Sequence, residues 1–351
     1  MTSAPVVPTV DLGRWSTGDR AARGDVAAEL DDSCRRIGFL QVTGHGVVQP
    51  VIDDMVGATA AFFAMPADEK RRWTPPSPEV NRGYSGRGVE GLSYSVGLQR
   101  PPDLFEAFNI GPDDADDADD ADPAVTAERH RLFAPNIWPD APASLRPALV
   151  TYFAAVRRVS HMLTDVMAVA LGLPDRYFRS FTTHSTDTLR VVHYETQPGD
   201  AEPLEGQVGM GAHTDYGIVT VLYADAVPGL QIVGPDGGWH DVAPDPGAFL
   251  VNLGDLTAQW TNDRWRSTIH RVLPPPRSPD GATHRRSVAF FHDGNHDAVI
   301  ECLPTCQSAD DPPRYPPVTA GEHLMGKLLG PRTLQPSVAT DTVGNRLDRK
   351  S

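Results

Sequence analysis

Cysteine is nearly absent from this chain of 351 residues: Cys34, Cys302 and Cys306 are too few, and odd in number, for a disulfide framework. Cys302 and Cys306, two thiols without neighbouring ligand types, do not make a metal site by themselves. No uninterrupted apolar run reaches the length of a membrane span. The first residues, Met1 to Pro8, lack the charged stretch and apolar core of a signal peptide, so the expected compartment is the reducing cytoplasm. Basic charge is scarce too. The formal charge is −15, and phosphate recognition needs a basic footprint, which argues against nucleic-acid partners. Much of the acidity is local: seven aspartates between Asp113 and Asp122 account for the difference between −15 and −8. Such an Ala-Asp run buries nothing and reads as a solvated loop. The His-Glu-x-x-His spacing of common zinc hydrolases is also missing.

What remains is an ordinary globular composition, 40% apolar, in a chain long enough for a sizeable core. The first half reads mostly as helices, with a short strand over 38–43 followed by a turn at Gly44-His45-Gly46. Val26, Leu30 and Cys34 recur at four-residue spacing within 25–37, Met55, Ala58, Phe62 and Met65 share a face of 51–65, and the longest helix is expected over 145–171. For that helix Ser144 suits the N-cap and Gly172 the C-terminal stop. Residues 81–93 read as a loop of the kind that lines active sites. From Thr188 the period changes to two: 189–194, 218–223, 229–233, 248–253, 269–273 and 286–292 are short, rich in β-branched and aromatic residues, and separated by Pro, Gly and Asp. Six such strands without helical crossovers predict an antiparallel sandwich or jelly roll. The polar stretch after about Leu329 is expected to fray.

Within this pattern His213-Thr214-Asp215 presents an imidazole and a carboxylate to one side of a strand, because residues i and i+2 share a face. A third ligand, His270, would come from a neighbouring strand. Two imidazoles and one carboxylate are the ligand set that holds non-haem Fe(II) with open positions for O₂. Arg285 and Ser287 again share a strand face. A guanidinium aimed into an apolar interior needs an anion, and its fork suits a bidentate carboxylate, which points to a dicarboxylate cosubstrate. Arg286 should face solvent.

These motifs, in order, resemble the isopenicillin N synthase-like members of the Fe(II)/2-oxoglutarate-dependent oxygenase superfamily, over roughly residues 5–330. The N-terminal half carries Val7-Pro8-Thr9-Val10-Asp11-Leu12, Ile37-Gly38-Phe39, Gly44-His45-Gly46-Val47 and Asn81-Arg82-Gly83-Tyr84. The C-terminal half carries His213-Thr214-Asp215-Tyr216-Gly217, Val251-Asn252-Leu253-Gly254-Asp255, Ile269-His270-Arg271-Val272 and Arg285-Arg286-Ser287. The resemblance implies a mainly β fold: a double-stranded β-helix (jelly-roll) core with a helical N-terminal region. The implied division is a helical non-haem dioxygenase region (1–125), a linker with the long helix (126–184), a catalytic jelly roll (185–330) and a tail (331–351).

It further implies that His213, Asp215 and His270 bind Fe(II), and that Arg285 and Ser287, with Tyr194, bind 2-oxoglutarate. Many relatives carry asparagine two residues before that tyrosine; here stands Val192, and that contact would be missing. The implied reaction consumes O₂ and 2-oxoglutarate and hydroxylates, desaturates or cyclises at an unactivated C–H bond of a small molecule. Two alternatives stand beside it: an oxidase of the isopenicillin N synthase type that uses no 2-oxoglutarate, and a catalytically silent binding protein on the same fold. Candidates for the substrate wall are Asn81, Arg82, Tyr84, Phe105, Phe108 and Phe291, and Arg82 could meet a substrate carboxylate. His45 reads as a buried structural histidine. The Ala-, Asp-, Arg- and Pro-rich composition is that of a GC-rich bacterial genome, where an amino-acid-derived or secondary metabolite would be a fitting substrate. Neither the substrate nor the oligomeric state is legible.

Overall fold

The computed structural model describes residues 7–112 and 134–336. The Asp-rich run 113–122 lies outside them. Strand β1 (Thr9–Asp11) leads through α1 (Leu12–Thr17) into α2 (Arg20–Arg36), then β2 (Phe39–Thr43), α3 (Gln49–Phe63), α4 (Ala67–Arg71), β3 (Gly83–Ser85) and β4 (Phe105–Ile110). The long α5 (Leu145–Ala170) precedes eight strands: β5 (Thr188–Thr196), β6 (Met210–His213), β7 (Val219–Ala224), β8 (Leu230–Val233), β9 (Trp239–Asp241), β10 (Phe249–Leu253), β11 (His270–Val272) and β12 (Thr283–His292). A short α6 (Asp255–Trp260) follows β10, and the described chain ends with β13 (Val299–Ile300), β14 (Val318–Thr319) and α7 (Ala320–Thr333).

The eight strands β5–β12 divide between two sheets, which makes the jelly roll. One sheet runs β6-β11-β8-β9. The other runs β1-β2-β10-β7-β12-β5-β4-β3, so four strands from the N-terminal half widen it on both sides. That half was expected to be mostly helical, with one short strand at 38–43, which is β2; β1, β3 and β4 appear because other short β-prone runs find edges to pair with. Alternation along β5 explains the two cores. Leu189 and Val191 point to the helices, where Leu149, Tyr152, Val156 and Leu163 of α5 pack with Phe62 and Met55. Val192 and Tyr194 point between the sheets, with Phe105, Ala107 and Ile232.

Three local expectations need correction. Ser144 already has helical backbone angles and its side chain makes no capping bond. Helix α2 begins five residues before 25, because Asp19 caps it by accepting from the Ala22 N–H. The stretch expected to fray after Leu329 is the end of α7 as far as Thr333. Its start carries a reciprocal cap, in which the Thr319 hydroxyl accepts from the Glu322 N–H and Glu322 accepts from the Thr319 N–H. Helix α5 ends as expected before Gly172, which adopts φ +68.

Candidate metal and cosubstrate site

Antiparallel pairing sets His213, at the end of β6, directly across from His270 at the start of β11. Their rings lie 4.2 Å apart between centroids. Asp215 follows β6, and its Oδ1 stands 3.7 Å from His213 Nε2 and 3.6 Å from His270 Nε2. All three residues are buried. The remaining atoms of each are already spoken for. His213 Nδ1 donates to the Gly211 carbonyl at 2.7 Å and His270 Nδ1 donates to the Thr268 carbonyl at 3.1 Å. Each bond fixes the tautomer and leaves an Nε2 lone pair facing the common centre. Burial, with His270 beside it, pushes the His213 imidazole well below its ordinary value, so it stays neutral. Asp215 Oδ2 accepts from the Thr220 hydroxyl and from Asn252 Nδ2 (2.7 Å), which leaves Oδ1 free. Three donors without competing protons, converging within 4.8 Å of one another, fit a divalent ion.

The motif Val251–Asp255 contains Asn252, but nothing in the sequence assigns it to Asp215; β10 and β7 bring Asn252 beside Thr220 in register. The expected consequence is specific. Asn252→Ala should raise the Fe(II) concentration needed for half-saturation roughly 10–100-fold, as loss of a ligand's hydrogen-bond partner does, and equilibrium dialysis measures it. An unchanged metal affinity would show that this bond does not orient the ligand.

Opposite the metal ligands, β4, β5 and β12 share one inward face. Arg285 pairs with Tyr194, Ser287 with Val192, Ala289 with Arg190 and Phe291 with Thr188 across β12 and β5. Phe105, Ala107 and Asn109 extend the same rungs on β4. The face is therefore polar at the Tyr194 end, narrow and apolar in the middle, and polar again at the Arg190 end. At the first end Arg285 is 2% exposed. Its guanidinium carbon lies 5.2 Å from the centroid of the Tyr194 ring, Nη1 is 3.5 Å from Ser287 Oγ, and Nε has no partner. No ion pair of Arg285 is found among the described residues. The Tyr194 hydroxyl, kept protonated by burial, lies 3.8 Å from Met210 Sδ. Val192 lies between the two ends as an apolar wall. Arg286, on the other face, is half-buried, and its N–H donates to Asp225 Oδ2.

At the far end opens a cavity that reaches His213 and Asp215. Asn81, Thr188, Arg190, Glu90, Asp293 and Arg332 supply its polar wall, and Leu92, Met210, Phe291, Leu324 and Leu328 its apolar one. Of the six residues expected to line it, Asn81 and Phe291 do. Arg82 does not: it donates to the Ala134 and Asn81 carbonyls and lies so close to Gly111 that a Cβ there would sit 1.9 Å from Nη2. Tyr84 and Phe108 are paired in register and point toward the helices, where the Tyr84 hydroxyl donates to Glu106. Phe105 faces inward, but opposite Tyr194, at the Arg285 end. Strand alternation, invisible while 81–93 was read as a loop, separates these residues.

Several residues of this site carry no sequence signal of their own. Asp103 accepts from the Leu92 and Gly211 N–H groups, tying the cavity wall to the strand that bears His213; burial pushes it up to about 7. Buried Lys327 of α7 lies 3.4 Å from Asp255, which in turn accepts from Thr214, so α7 is tied to the metal-ligand segment. His45 is the structural histidine expected, stacked on Phe249 and 3.1 Å from the Gly247 carbonyl. Cys302 and Cys306 are free thiols, and no metal-binding group among the described residues includes them.

Residues 7–141 match the family described as non-haem dioxygenase in morphine synthesis N-terminal, and residues 185–294 match the 2OG-Fe(II) oxygenase superfamily. The 2-oxoglutarate-Fe(II) type oxidoreductase hxnY of Emericella nidulans is 34% identical over 329 residues, covering 92% of this chain and 90% of its own length. The chain belongs to the 2-oxoglutarate-Fe(II) oxygenase superfamily. Validamycin A dioxygenase of Streptomyces hygroscopicus subsp. limoneus is 33% identical, over 92% of this chain and 86% of its own. A full-length Neurospora crassa protein, crystallised in complex with alpha-KG, superposes with a TM-score of 0.80 at 29% identity, over 93% of this chain and 97% of that one. This member of the superfamily is thus a non-haem Fe(II)- and 2-oxoglutarate-dependent dioxygenase that acts on a small molecule, on the jelly-roll core expected. Among the described residues no helix is long and apolar enough to cross a membrane.

Proposed function

We propose that His213, Asp215 and His270 hold the Fe(II), that Arg285, Ser287 and the Tyr194 hydroxyl take the distal carboxylate of 2-oxoglutarate, and that the cavity under α7 takes the molecule to be oxidised. The observation that carries this reading is Arg285, a buried guanidinium with only neutral partners at the foot of the face opposite the triad. A charge placed so needs an anion, and a dicarboxylate reaching from the iron would supply it. Bound iron supplies O₂ activation coupled to decarboxylation of the keto acid. The chain's part is to fix two imidazoles and one carboxylate around the ion, hold the cosubstrate in line, and keep the substrate's C–H bond against the apolar side of the cavity. An amino-acid-derived or secondary metabolite suits the mixed polarity of that cavity's lining. The acidic chain favours no nucleic acid, and three free thiols suit a reducing cytoplasm.

Anaerobic titration of the Fe(II)-loaded protein with 2-oxoglutarate tests the arrangement. A visible iron-to-keto-acid charge-transfer band should appear and saturate at one equivalent. Tight Fe(II) binding with no band at any 2-oxoglutarate concentration would remove the cosubstrate assignment and favour direct ligation by substrate, as in the oxidase alternative.

A further inference from the structure

Arg190 and Arg332 both line the cavity wall, and Glu90 is the carboxylate facing both. Glu90 is spent on Arg190: Nη2 donates to Oε2 at 2.9 Å. Arg332, carried by the last turn of α7, makes no ion pair among the described residues. Its hydrogen bonds go to neutral acceptors, the Pro78 and Val80 carbonyls and Asn81 Oδ1. Two guanidiniums therefore share the Glu90 carboxylate, since burial pushes up the carboxyl of Asp293, the other acid of that wall, and disfavours its charge; Leu92, Leu324, Leu328 and Phe291 supply the apolar lining. A third group points the same way. The Tyr216 hydroxyl lies buried in the same wall, and no hydrogen-bond acceptor reaches it among the described residues. A buried donor without an acceptor and a cation without a counter-ion both lose free energy until a ligand supplies what is missing.

We propose that the substrate is a small organic anion, and that its carboxylate is received by Arg332 with Arg190 and the Tyr216 hydroxyl, at the opposite end of the inward face from Arg285. Arg190 and Arg285 stand on adjacent strands, Arg190 four residues along β5 from the partner of Arg285, which is about 13 Å at the rise of a strand. That spacing keeps the two anion sites distinct: the cosubstrate is gripped at one end, the substrate at the other, and the metal ligands face the middle. The substrate's apolar part would lie against Leu324, Leu328 and Phe291, presenting its C–H bonds toward His213 and Asp215. Because α7 delivers Arg332, the specificity determinant arrives from the C-terminal segment and not from the jelly roll.

The inference rests on the 2-oxoglutarate reading, so the test separates the two. The iron-loaded protein, first shown to give the 2-oxoglutarate band, is assayed for substrate-stimulated succinate release. The probes are matched acid and amide pairs: hexanoate and hexanamide, 3-phenylpropanoate and 3-phenylpropanamide, prolinate and prolinamide, with thymine as a neutral heterocycle. Acids should stimulate at concentrations about tenfold or more below their amides, the gain expected of a charge-assisted contact. Arg332→Gln should erase that preference, while Arg332→Lys, which keeps the charge and loses the fork, should keep part of it. Thermal unfolding reports whether each variant folds. Equal stimulation by acids and amides, stimulation by thymine alone, no stimulation by any acid, or an acid preference unchanged in Arg332→Gln would each overturn the proposal. Absence of the band would instead count against the 2-oxoglutarate reading.

Discussion

Asp215→Ala is expected to bring both turnover and Fe(II) retention to background while the protein remains folded. Asp215 Oδ1 is the one anionic donor facing His213 Nε2 and His270 Nε2, at 3.7 and 3.6 Å. Two imidazoles alone leave a divalent ion with no anionic ligand from this site and no fixed third direction. The structural cost is bounded. Truncation leaves the Thr220 hydroxyl and the Asn252 amide without their acceptor, at about 1–3 kcal/mol for each buried donor left unpaired. A domain of ordinary stability, about 5–15 kcal/mol, survives most of that range. Relief of the apolar burial of a carboxylate offsets part of it. His213→Ala should behave alike in iron binding with a smaller structural penalty, since it orphans only the Gly211 carbonyl. Iron content after dialysis, succinate release and thermal unfolding read the three quantities separately. Full turnover in either variant would move the metal elsewhere.

Arg285→Met should produce opposite effects on cosubstrate binding and on the stability of the metal-free protein. Truncating one partner of a buried, hydrogen-bonded charge pair costs about 2–5 kcal/mol, so the 2-oxoglutarate requirement should rise by roughly 30-fold or more. Without the cosubstrate, however, Arg285 is a buried cation stabilised by the Tyr194 ring and a long contact to Ser287. An apolar side chain of similar length removes that desolvation penalty, and replacement of buried charges by apolar groups is often neutral or stabilising. The melting temperature of the metal-free variant should therefore equal or exceed that of the parent, and the stabilisation of the parent by added 2-oxoglutarate should shrink. A variant with an unchanged 2-oxoglutarate requirement would place the distal carboxylate on another cation. A large loss of stability without ligand would mean that Arg285 is paired in the native protein after all.

Period and residue type made much of this legible. His-x-Asp at strand spacing, Arg-x-Ser at strand spacing, and the four-residue stripe of α5 each depend on geometry that a few consecutive residues fix. Errors collected where chain segments far apart in sequence decide the outcome. Tyr84, Phe105 and Phe108 looked like one aromatic wall, yet pairing of β3, β4 and β5 sends Tyr84 and Phe108 to the helices and Phe105 to the Arg285 end. Arg190 could have been found: it shares the face of Tyr194 four residues earlier, at the period already used for Arg285 and Ser287. Helix α7 was missed because its glycines and Pro331 resemble a tail, although Thr319 and Glu322 carry the spacing of a reciprocal cap.

The sequence by itself determined the candidate chemistry: two histidines and an aspartate of the kind that hold iron, an arginine suited to a carboxylate, and alternating strands to carry them. Those are properties of single residues and of the local backbone period, which the chain writes directly. Only the tertiary structure decided how these groups are oriented and what lines the cavity beside them. Which oxygen of Asp215 is free depends on Thr220 and Asn252 arriving from β7 and β10. Which cation roofs the cavity depends on Lys327 and Asp255 holding α7 against the jelly roll, more than seventy residues apart in sequence. Hydrogen bonds and ion pairs across such separations form only when the whole core closes, because local pattern carries no information about which distant groups desolvation will force together.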